Sequence, residues 1–342
     1  MSEIGGAVLV AGGAGYIGSH TVKQLHASGM RPVVVDNLIT GNRFALRYGP
    51  FIEGSIEDKE LIRRAIEVHG IRSAILFAAH AYVGESTTNP RKYYHNNVSA
   101  ALSFLDALLD GGVRSLVFSS SCSIYGIQEK IPISESSSKN PLSPYAETKL
   151  FMEQVLHAYG AAYGLRSACL RYFNAAGADP DGELGEHHDP ETHLIPLAIY
   201  AAMGRKPLSV FGTDYPTPDG TAIRDYIHVT DLAAAHIAAL KHLEGGGESV
   251  GINLGTGTGH SVRQVMQMVE QVSGLPVPAN YGPRRDGDAP ALVADASNAV
   301  RLLNWTPRYS SLDSIIGTAW KWHSERETKL SENPQASKQS RD

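Results

Sequence analysis

The chain has 342 residues, 42% of them hydrophobic and 19% charged, and 30 basic against 35 acidic side chains give a net charge of −5. This length holds one large domain or two intimate ones with a sizeable core, which excludes a disordered or fibrous protein. The chain has no basic run, which argues against a dedicated nucleic-acid-binding protein, because phosphate contacts need clustered lysine and arginine.

Short runs rich in Val, Ile and Leu alternate with helix-length amphipathic segments through the first half of the chain. The predicted strands are Ala7–Ala11, Pro32–Asp36, Ala74–Ala79, Ser115–Ser119 and Ala168–Tyr172. The predicted helices are Ser19–Ser28, Asp58–His69, Val98–Leu109 and Pro144–Tyr163. Apolar strands that alternate with helices form parallel sheets covered on both faces. We therefore expect an α/β protein with a Rossmann-type doubly wound parallel sheet.

Beyond about Tyr172, Gly and Pro become frequent and the helical patterns are more widely spaced. The predicted helices there are Leu194–Met203, Asp231–Leu243, Val262–Val272 and Leu312–His323. We interpret this half as a smaller, loop-rich α/β lobe that binds substrate. The expected organisation is a dinucleotide-binding domain over 1–175, a substrate-binding lobe over 176–326 that is partly interleaved with it, and a disordered polar tail over 327–342.

The two cysteines, Cys122 and Cys169, are too few for a disulfide framework or a four-thiolate metal site. The apolar runs fall far short of the roughly 20 residues that span a bilayer. The chain opens without the charged and then apolar pattern of a secretory leader, so the expected location is the cytoplasm, with no membrane partner.

A glycine-rich turn follows the first predicted strand. Gly12, Gly15 and Gly18 permit a tight turn, the approach of a pyrophosphate and close packing of the helix, whose free N–H groups would bind the phosphates. Asp36 ends the second strand, where it would hydrogen-bond the adenosine ribose and repel a 2′-phosphate, which favours NAD. The alternative is that the glycines form only a tight strand–helix turn and that Asp36 is a solvated carboxylate. A P-loop is excluded, because Ser19 occupies the position of its lysine.

A serine run and a tyrosine–lysine pair form the second motif. Ser143 and Pro144 predict the start of a helix, so Tyr145 and Lys149 share one of its faces. A phenol titrates near ~10, and an ammonium together with the positive nicotinamide ring could bring its pKa towards ~7. Tyr145 would then act as a base, with Ser121 hydrogen-bonded to the reacting hydroxyl. The alternative is that Tyr145 and Lys149 are a structural pair on the protein surface and that the serines are only the polar end of a strand.

These motifs resemble those of the extended short-chain dehydrogenase/reductase family and, within it, the nucleotide-sugar epimerases. The resemblance runs from about Ala7 to Trp322 and includes the stretches Val83–Ser86, Asn96–Val98, Arg171–Asn174, Phe211–Thr217, Arg224–Val229 and Arg284–Asp288. It implies NAD-dependent 4-epimerisation of UDP-sugars, such as the interconversion of UDP-galactose and UDP-glucose through a transient 4-keto sugar, by a homodimer.

The resemblance also implies a role for each matching residue, with Tyr145 as the base, Ser121 as its hydrogen-bonding partner and Lys149 as a ligand of the nicotinamide ribose. The implied NAD-binding residues are Gly12, Gly15, Tyr16, Ile17, Gly18, Asp36, Asn37, Ser55, Ile56, Phe77, Ala78, Ala79, Asn96, Ser119, Tyr145, Lys149 and Tyr172. The implied substrate-binding residues are Ser121, Ser123, Tyr145, Phe173, Asn174, His193, Leu194, Phe211, Arg224, Arg285, Asp288 and Leu292. Guanidinium groups such as those of Arg224 and Arg285 bind a pyrophosphate bidentately, although each alone is equally well explained as a structural ion pair.

Some positions depart from the family pattern. Ser55 stands where an acid commonly contacts adenine, Ala81 where several homologues carry a cofactor-contacting lysine, and His193 where an asparagine often contacts UDP. Leu292 replaces the tyrosine that is common in epimerases restricted to unmodified hexoses. We therefore expect at least weak acceptance of UDP-N-acetylhexosamines, and activity on UDP-pentoses stays open.

Two other functions share part of this sequence pattern with epimerisation. A nucleotide-sugar 4,6-dehydratase or decarboxylase needs an acid beside the active-site serine, where this chain has Cys122 and Ser123. A non-catalytic NAD sensor usually loses the tyrosine or the lysine, and both are present here.

A histidine cluster in the second half of the chain raises the question of a metal, with a loop near the substrate as the alternative. His187, His188 and His193 lie within seven residues. The hydride chemistry needs no metal, and no cysteine or paired-carboxylate spacing accompanies the histidines, so no metal is expected.

Overall fold

The structure is a computed structural model that describes residues 6–285 and 287–332, and these residues form thirteen strands and eleven α-helices. The strands are β1 (Ala7–Ala11), β2 (Arg31–Asp36), β3 (Phe51–Glu53), β4 (Ile71–Leu76), β5 (Ser115–Ser121), β6 (Arg166–Tyr172), β7 (Asn174–Ala176), β8 (Leu208–Phe211), β9 (Ile223–His228), β10 (Val250–Leu254), β11 (Gly259–Ser261), β12 (Ala279–Gly282) and β13 (Ala291–Leu292). The helices are α1 (Tyr16–Ala27), α2 (Lys59–His69), α3 (Val83–Thr88), α4 (Pro90–Tyr94), α5 (Ala101–Asp110), α6 (Pro144–Tyr163), α7 (Leu194–Ala202), α8 (Val229–Glu244), α9 (Val262–Ser273), α10 (Ser297–Leu303) and α11 (Leu312–Glu332).

A parallel sheet of seven strands, in the order β10-β6-β5-β4-β1-β2-β3, forms the core of the first half. Helices α2, α5 and α6 cover one face, and α1, α8 and α10 cover the other. The strands are continuous apolar runs because both faces are buried; β1 is buried at all five positions. The order reverses beside β1, which is the Rossmann arrangement and places a crevice at the carboxyl ends of the strands. The predicted fold class is confirmed.

Some predicted elements need correction. The strand predicted over Ala74–Ala79 ends at Leu76, because the N–H groups of Phe77 and Ala78 both turn to bond the carbonyl oxygen of Ala11. The helix predicted over Val98–Leu109 starts earlier, as a π-helix over His95–Ala100 that continues into α5. Strands β3 and β10 were not predicted.

The second lobe is built on two small sheets and a separate core. Strands β11, β9 and β13 are neighbours, β7 also pairs with β9, and β8 pairs with β12. Helices α7, α9 and α11 pack together around the apolar residues of this core. The chain returns to the large sheet at α8 and β10, so residues after 175 contribute to both halves. The boundary between 175 and 176 stays a prediction.

The last helix, α11, continues to Glu332. The helix includes 327–332, where Glu, Lys and Leu are good helix formers, and the disorder expected for the tail over 327–342 stays a prediction. The rest of that tail, 333–342, lies outside the described residues. Among the described residues, each helix is too short or too polar to span a lipid bilayer.

Candidate active site

Glycines shape the turn between β1 and α1. Gly12 has a φ of +84°, and a Cβ there would lie 2.6 Å from the backbone nitrogen of Ala78. A Cβ on Gly18 would lie 2.2 Å from the carbonyl oxygen of Gly12, so the helix can approach the turn only with glycine at this position. The nearest atom to a Cβ on Gly15 is 3.4 Å away. Packing within the chain therefore explains Gly12 and Gly18, whereas Gly15 leaves space for a ligand.

The N-terminus of α1 lies beside this turn and offers backbone N–H groups to a ligand. Its N-cap, Gly15, makes no side-chain hydrogen bond to the helix, and the first turn carries no acidic residue. The helix dipole adds positive potential at this end. These residues fit the diphosphate of a dinucleotide cofactor.

Asp36 lies at the carboxyl end of β2, where a cofactor ribose would sit. Its carboxylate accepts hydrogen bonds from the N–H groups of Ala14, at 3.0 Å, and Leu38, at 2.9 Å. Burial raises the pKa of this carboxyl above its ordinary value. Each oxygen keeps acceptor capacity for a ribose hydroxyl. The Oγ of Ser55 accepts a bond from the N–H of Glu57 at 3.2 Å and keeps one lone pair for the predicted adenine contact.

The remaining predicted cofactor residues lie along the same edge of the sheet. Asn37 follows β2, Ile56 follows β3, Phe77, Ala78 and Ala79 follow β4, Asn96 lies in the π-helix, Ser119 lies in β5 and Tyr172 ends β6. The hydroxyls of Ser119 and Tyr172 share a hydrogen bond. The side-chain amide of Asn96 donates to Asn97 at 2.9 Å. These residues surround the crevice at which the strand order reverses.

The structure brings the serine and the tyrosine–lysine pair together. The Oγ of Ser143 caps α6, so Tyr145 and Lys149 lie in its first turns as predicted. The Nζ of Lys149 donates to the carbonyl oxygen of Ser119 at 2.6 Å and lies 5.8 Å from the centroid of the Tyr145 ring. Ser121 ends β5, and its Oγ accepts a hydrogen bond from the hydroxyl of Ser123 at 2.9 Å.

The protein itself opposes charge at this pair. Burial raises the pKa of Tyr145 to about 12, and interaction with the Ser121 side chain offsets only part of this rise. Burial lowers the pKa of Lys149 to about 7. The expected lowering of the phenol's pKa therefore does not come from Lys149 alone. A bound positive cofactor ring is needed to favour the phenolate.

A buried polar network lies behind Ser121, and it was missed at the sequence level. Arg171 on β6 pairs with Glu153 on α6 at 2.6 Å, and both side chains are over nine-tenths buried. Ser120 donates to Glu153 at 2.6 Å, Arg171 to the hydroxyl of Tyr125 at 2.9 Å, and Tyr125 to Asn253 at 2.7 Å. An arginine within an apolar strand was the available sequence clue. The network anchors β5 and α6, the two elements that carry the reactive side chains.

The predicted pyrophosphate-binding arginines have partners within the protein. Arg224 pairs with Asp288, and its guanidinium also donates to two backbone carbonyls at 2.8 and 2.9 Å. Arg285 lies with its guanidinium carbon 4.0 Å from the centroid of the Phe211 ring, and both side chains are exposed. Arg224 is therefore fixed in place by protein contacts, whereas Arg285 lies on an aromatic surface facing solvent.

Several of the residues predicted to contact the sugar lie where β9 and β13 meet. Leu292 is the register partner of Arg224, and its side chain packs against the small core that includes Phe173. The amide of Asn174 donates to the carbonyl oxygen of Asp225 at 3.2 Å. Three predicted substrate residues, Asn174, Arg224 and Leu292, therefore lie on neighbouring strands, and Phe173 immediately precedes the first of these strands.

His193 and Leu194 lie at the N-terminus of α7, where His193 is the N-cap. The Nδ1 of His193 hydrogen-bonds Glu186, and His188 and Glu191 lie beside them. Burial lowers the pKa of His188, but the carboxylates of Glu186 and Glu191 outweigh it and raise that pKa to about 10. The statement that no paired carboxylates accompany the histidines is therefore wrong. Their alternation with the histidines was visible in the sequence.

Comparison with known proteins gives consistent results. The sequence model of the NAD dependent epimerase/dehydratase family matches residues 8–255. The UDP-glucose 4-epimerase of Rhizobium meliloti is 49% identical over 320 residues, which cover 93% of this chain and 97% of the relative. The crystal structure of the Brucella ovis UDP-glucose 4-epimerase with NAD has a TM-score of 0.91 at 52% identity, covering 92% of this chain and 97% of the other. The Stenotrophomonas maltophila UDP-glucose 4-epimerase, with bound NAD and formylated UDP-arabinopyranose, has a TM-score of 0.92 at 40% identity, covering 94% and 99%.

Proposed function

The chain belongs to the NAD dependent epimerase/dehydratase family, and from this premise we propose that it epimerises UDP-sugars at C4, interconverting UDP-galactose and UDP-glucose. Its cofactor is NAD, and its substrates are UDP-sugars. The observation that carries the assignment is the meeting of Tyr145, Lys149 and Ser121 at the edge of the sheet that also carries the glycine turn.

The chain's own residues hold and move the proton in this mechanism. We assign Tyr145 as the base for the 4-hydroxyl of the sugar, with its phenol oxygen as the proton acceptor. Ser121 donates to or accepts from the same hydroxyl, and the bond it accepts from Ser123 orients its Oγ. Lys149 is held by the carbonyl of Ser119 and would bind the nicotinamide ribose. When bound, NAD supplies a reversible hydride acceptor for C4, so that the sugar changes configuration without net oxidation.

The division of roles between sugar and nucleotide follows from the contacts. Arg224 is fixed by Asp288 and backbone carbonyls, so it offers a rigid cation for the diphosphate. Arg285 would add a second cation for the diphosphate, and the exposed ring of Phe211 would stack on the uracil at the other end of UDP. Epimerisation needs the sugar to turn between hydride transfers, so strong binding belongs on UDP and weak contacts on the sugar. His193, Leu194, Phe173 and Asn174 are assigned to the walls of this site.

A dehydratase or decarboxylase is disfavoured by the residues beside Ser121. Burial raises the pKa of the Cys122 thiol to about 12, so that thiol is a poor proton donor. The hydroxyl of Ser123 already donates its hydrogen bond to Ser121. A non-catalytic sensor has no need for the buried Lys149–Ser119 contact beside Tyr145.

The experiment incubates purified protein with UDP-galactose and no added nucleotide. It measures the formation of UDP-glucose, a product whose molecular mass equals that of the substrate. Tyr145→Phe should reduce turnover by about 10²–10⁴-fold, because the base is removed. The matched control is Tyr163→Phe, at the exposed end of the same helix, which should keep wild-type turnover. Full activity in Tyr145→Phe, or a product lighter by one water, would contradict the assignment.

We also propose a homodimer, formed through α6. Three large hydrophobic side chains are exposed on this side of the protein: Leu142 at 50%, Phe151 at 46% and Tyr94 at 40%. Phe151 and Tyr94 line a surface hollow of about 370 Å³. Paired helices would bury this surface. Light scattering should give the dimer mass for the wild type and the monomer mass for Phe151→Glu. Leu275→Glu, a similarly exposed leucine in the other lobe, is the control.

A cytoplasmic location is part of the same proposal. Cys122 and Cys169 are both buried free thiols, which suits a reducing compartment. Cell fractionation that places the protein in the cytosolic fraction would support this location, and recovery in an oxidising compartment would oppose it.

A further inference from the structure

A cluster of four metal-binding side chains lies in the loop that leads to α7. Glu186, His188, Glu191 and His193 each direct one ligand atom to a common point, and these atoms all lie within 4.8 Å of one another. They alternate along eight residues of chain, so a single loop supplies the whole set.

The distances from His188 to the two carboxylates are close to those around a tetrahedral ion, whereas the Nδ1 of His193 is hydrogen-bonded to Glu186 and would have to move away from it to admit one. The Nδ1 of His188 lies 3.2 Å from the Oε1 of Glu186 and 3.6 Å from the Oε1 of Glu191. The Nδ1 of His193 lies 4.0 Å from the same oxygen of Glu191. A zinc ion with bonds of about 2.0–2.2 Å would have ligand atoms about 3.3–3.6 Å apart. Small movements of His193, the most exposed of the four, would complete such a site.

The two carboxylates of the cluster are buried, and the cluster's own hydrogen bonds do not satisfy all of its polar atoms. The side chains of Glu186 and Glu191 are only 3% and 6% exposed. The Oε2 of Glu191 and the Nδ1 of His188 are buried without a hydrogen-bond partner. Buried polar atoms in proteins are normally paired, so atoms that converge without partners indicate a missing cation. Two protonated imidazoles would balance the charge and pair His188 with the carboxylates, but would leave the Oε2 of Glu191 without a partner.

We propose that Glu186, His188, Glu191 and His193 bind one zinc ion. Two carboxylates supply the two negative charges that balance a divalent cation, and two imidazoles are preferred zinc ligands. Four protein ligands fill a tetrahedral ion completely, which is typical of a structural zinc site. The ion takes no part in the hydride chemistry, so the inference goes beyond the proposed function and does not depend on it.

The position of the cluster indicates what the ion would stabilise. The ring of His188 packs edge-on against Tyr16, the first residue of α1, and against Tyr82, with centroids 6.3 and 6.1 Å apart. His193 is the N-cap of α7. The indole of Trp322 donates to the carbonyl oxygen of Glu186 at 3.1 Å. A bound zinc would therefore link the cofactor helix to the start of the substrate lobe.

The test measures zinc directly on the full chain. Purified protein is exchanged into chelator-free buffer, and zinc is titrated with a competing chromophoric chelator. We expect one tightly bound equivalent in the wild type. His188→Ala should lose it, and Glu191→Gln, which preserves the side-chain volume, should weaken binding on the order of tenfold or more. His187→Ala is the matched control, because that neighbouring ring packs against Phe44 instead.

Two further measurements keep the proposal open to refutation. Cobalt in place of zinc should give the visible absorption of a four-coordinate ion in the wild type and His187→Ala. Added zinc should raise the Tm of these two proteins and not that of His188→Ala. Circular dichroism establishes that each variant is folded; should His188→Ala not fold, Glu191→Gln alone decides. A wild type without bound zinc would overturn the proposal and leave an ion-paired cluster. Unchanged binding in His188→Ala or Glu191→Gln would also overturn it.

Discussion

The cofactor edge of the large sheet and the substrate side of the second lobe are built in different ways. At the cofactor edge, functional residues follow strand ends next to recognisable motifs; Asp36 is held by the N–H groups of Leu38, two positions further along the chain, and of Ala14 in the glycine turn. On the substrate side, Arg224 is held by Asp288, which lies 64 positions further along the chain. A local motif can therefore identify the first set, whereas the second needs the fold.

A buried ion pair in the cofactor half and an exposed one in the substrate lobe predict the largest difference in stability. Glu153→Gln removes one partner of the buried Glu153–Arg171 pair in the cofactor half and should cost about 3–5 kcal/mol in the free energy of unfolding, because a charge stays buried without its partner. Arg284→Ala breaks an exposed pair with Asp214 in the other lobe and should leave stability unchanged. Urea unfolding of both variants checks the comparison. Equal losses would show that burial does not set the contribution of these two ion pairs.

The glycine turn separates the needs of the fold from those of the cofactor. Gly18→Ala forces a Cβ against the carbonyl of Gly12 and should cost about 1–3 kcal/mol in the free energy of unfolding. The protein has space for a Cβ at Gly15, so the free energy of unfolding of Gly15→Ala should stay near that of the wild type. Its Cβ would enter the diphosphate site and should lower NAD affinity by about 1–3 kcal/mol.

Urea unfolding and calorimetric NAD titration on nucleotide-free protein measure the two quantities separately. If Gly15→Ala binds NAD as tightly as the wild type, the diphosphate does not approach this turn.

Sequence patterns were sufficient for the regular parts of the fold. Five of the seven strands of the large sheet were predicted, because each is an apolar run next to a helix with a clear start. Strand β3 has only three residues, and β10 joins the sheet after a long excursion through the second lobe, so neither has a distinctive local pattern.

The candidate site was predictable to the extent that its motifs are local. The capping pattern of Ser143 and Pro144 was enough to place Tyr145 and Lys149 on one helix face. The pairing of Arg224 with Asp288 depends on where strand β9 meets the loop before β13, which no spacing encodes. The pKa values of Tyr145 and Lys149 depend on burial, which the sequence does not give.

Charge burial at Lys149 predicts a pH dependence confined to the cofactor edge. Burial lowers its pKa to about 7 from an ordinary 10.5, so between these values the unfolded chain binds the extra proton and stability rises with pH. From pH 7 to pH 9 this contribution amounts to about 2 kcal/mol in nucleotide-free protein. Lys149→Met removes this titrating group, so the free energy of unfolding of the variant should not carry this rise with pH. The difference in stability between the variant and the wild type should therefore change by about 2 kcal/mol from pH 7 to pH 9, in favour of the wild type.

The control for this pH dependence is Lys139→Met, which removes an exposed lysine. It should follow the wild type at each pH, with urea unfolding as the measurement. Parallel curves for Lys149→Met and the wild type would show that the ammonium is solvated at neutral pH.

The smallest effect we predict tests whether the substrate side selects sugars by volume. Leu292 lies beside Arg224 and packs against the core around Phe173, so a larger residue there has no room to move away from the sugar. Leu292→Tyr should lower kcat/KM for UDP-N-acetylglucosamine by about tenfold and change that for UDP-galactose by less than about threefold. Leu292→Ala should shift the ratio in the opposite direction. Steady-state rates with both substrates give the ratio, and a ratio that is the same in all three proteins would mean that Leu292 does not contact the C2 substituent. In that case sugar choice would depend on the loop before α7, where His193 and Leu194 lie, and not on the strand pair β9–β13.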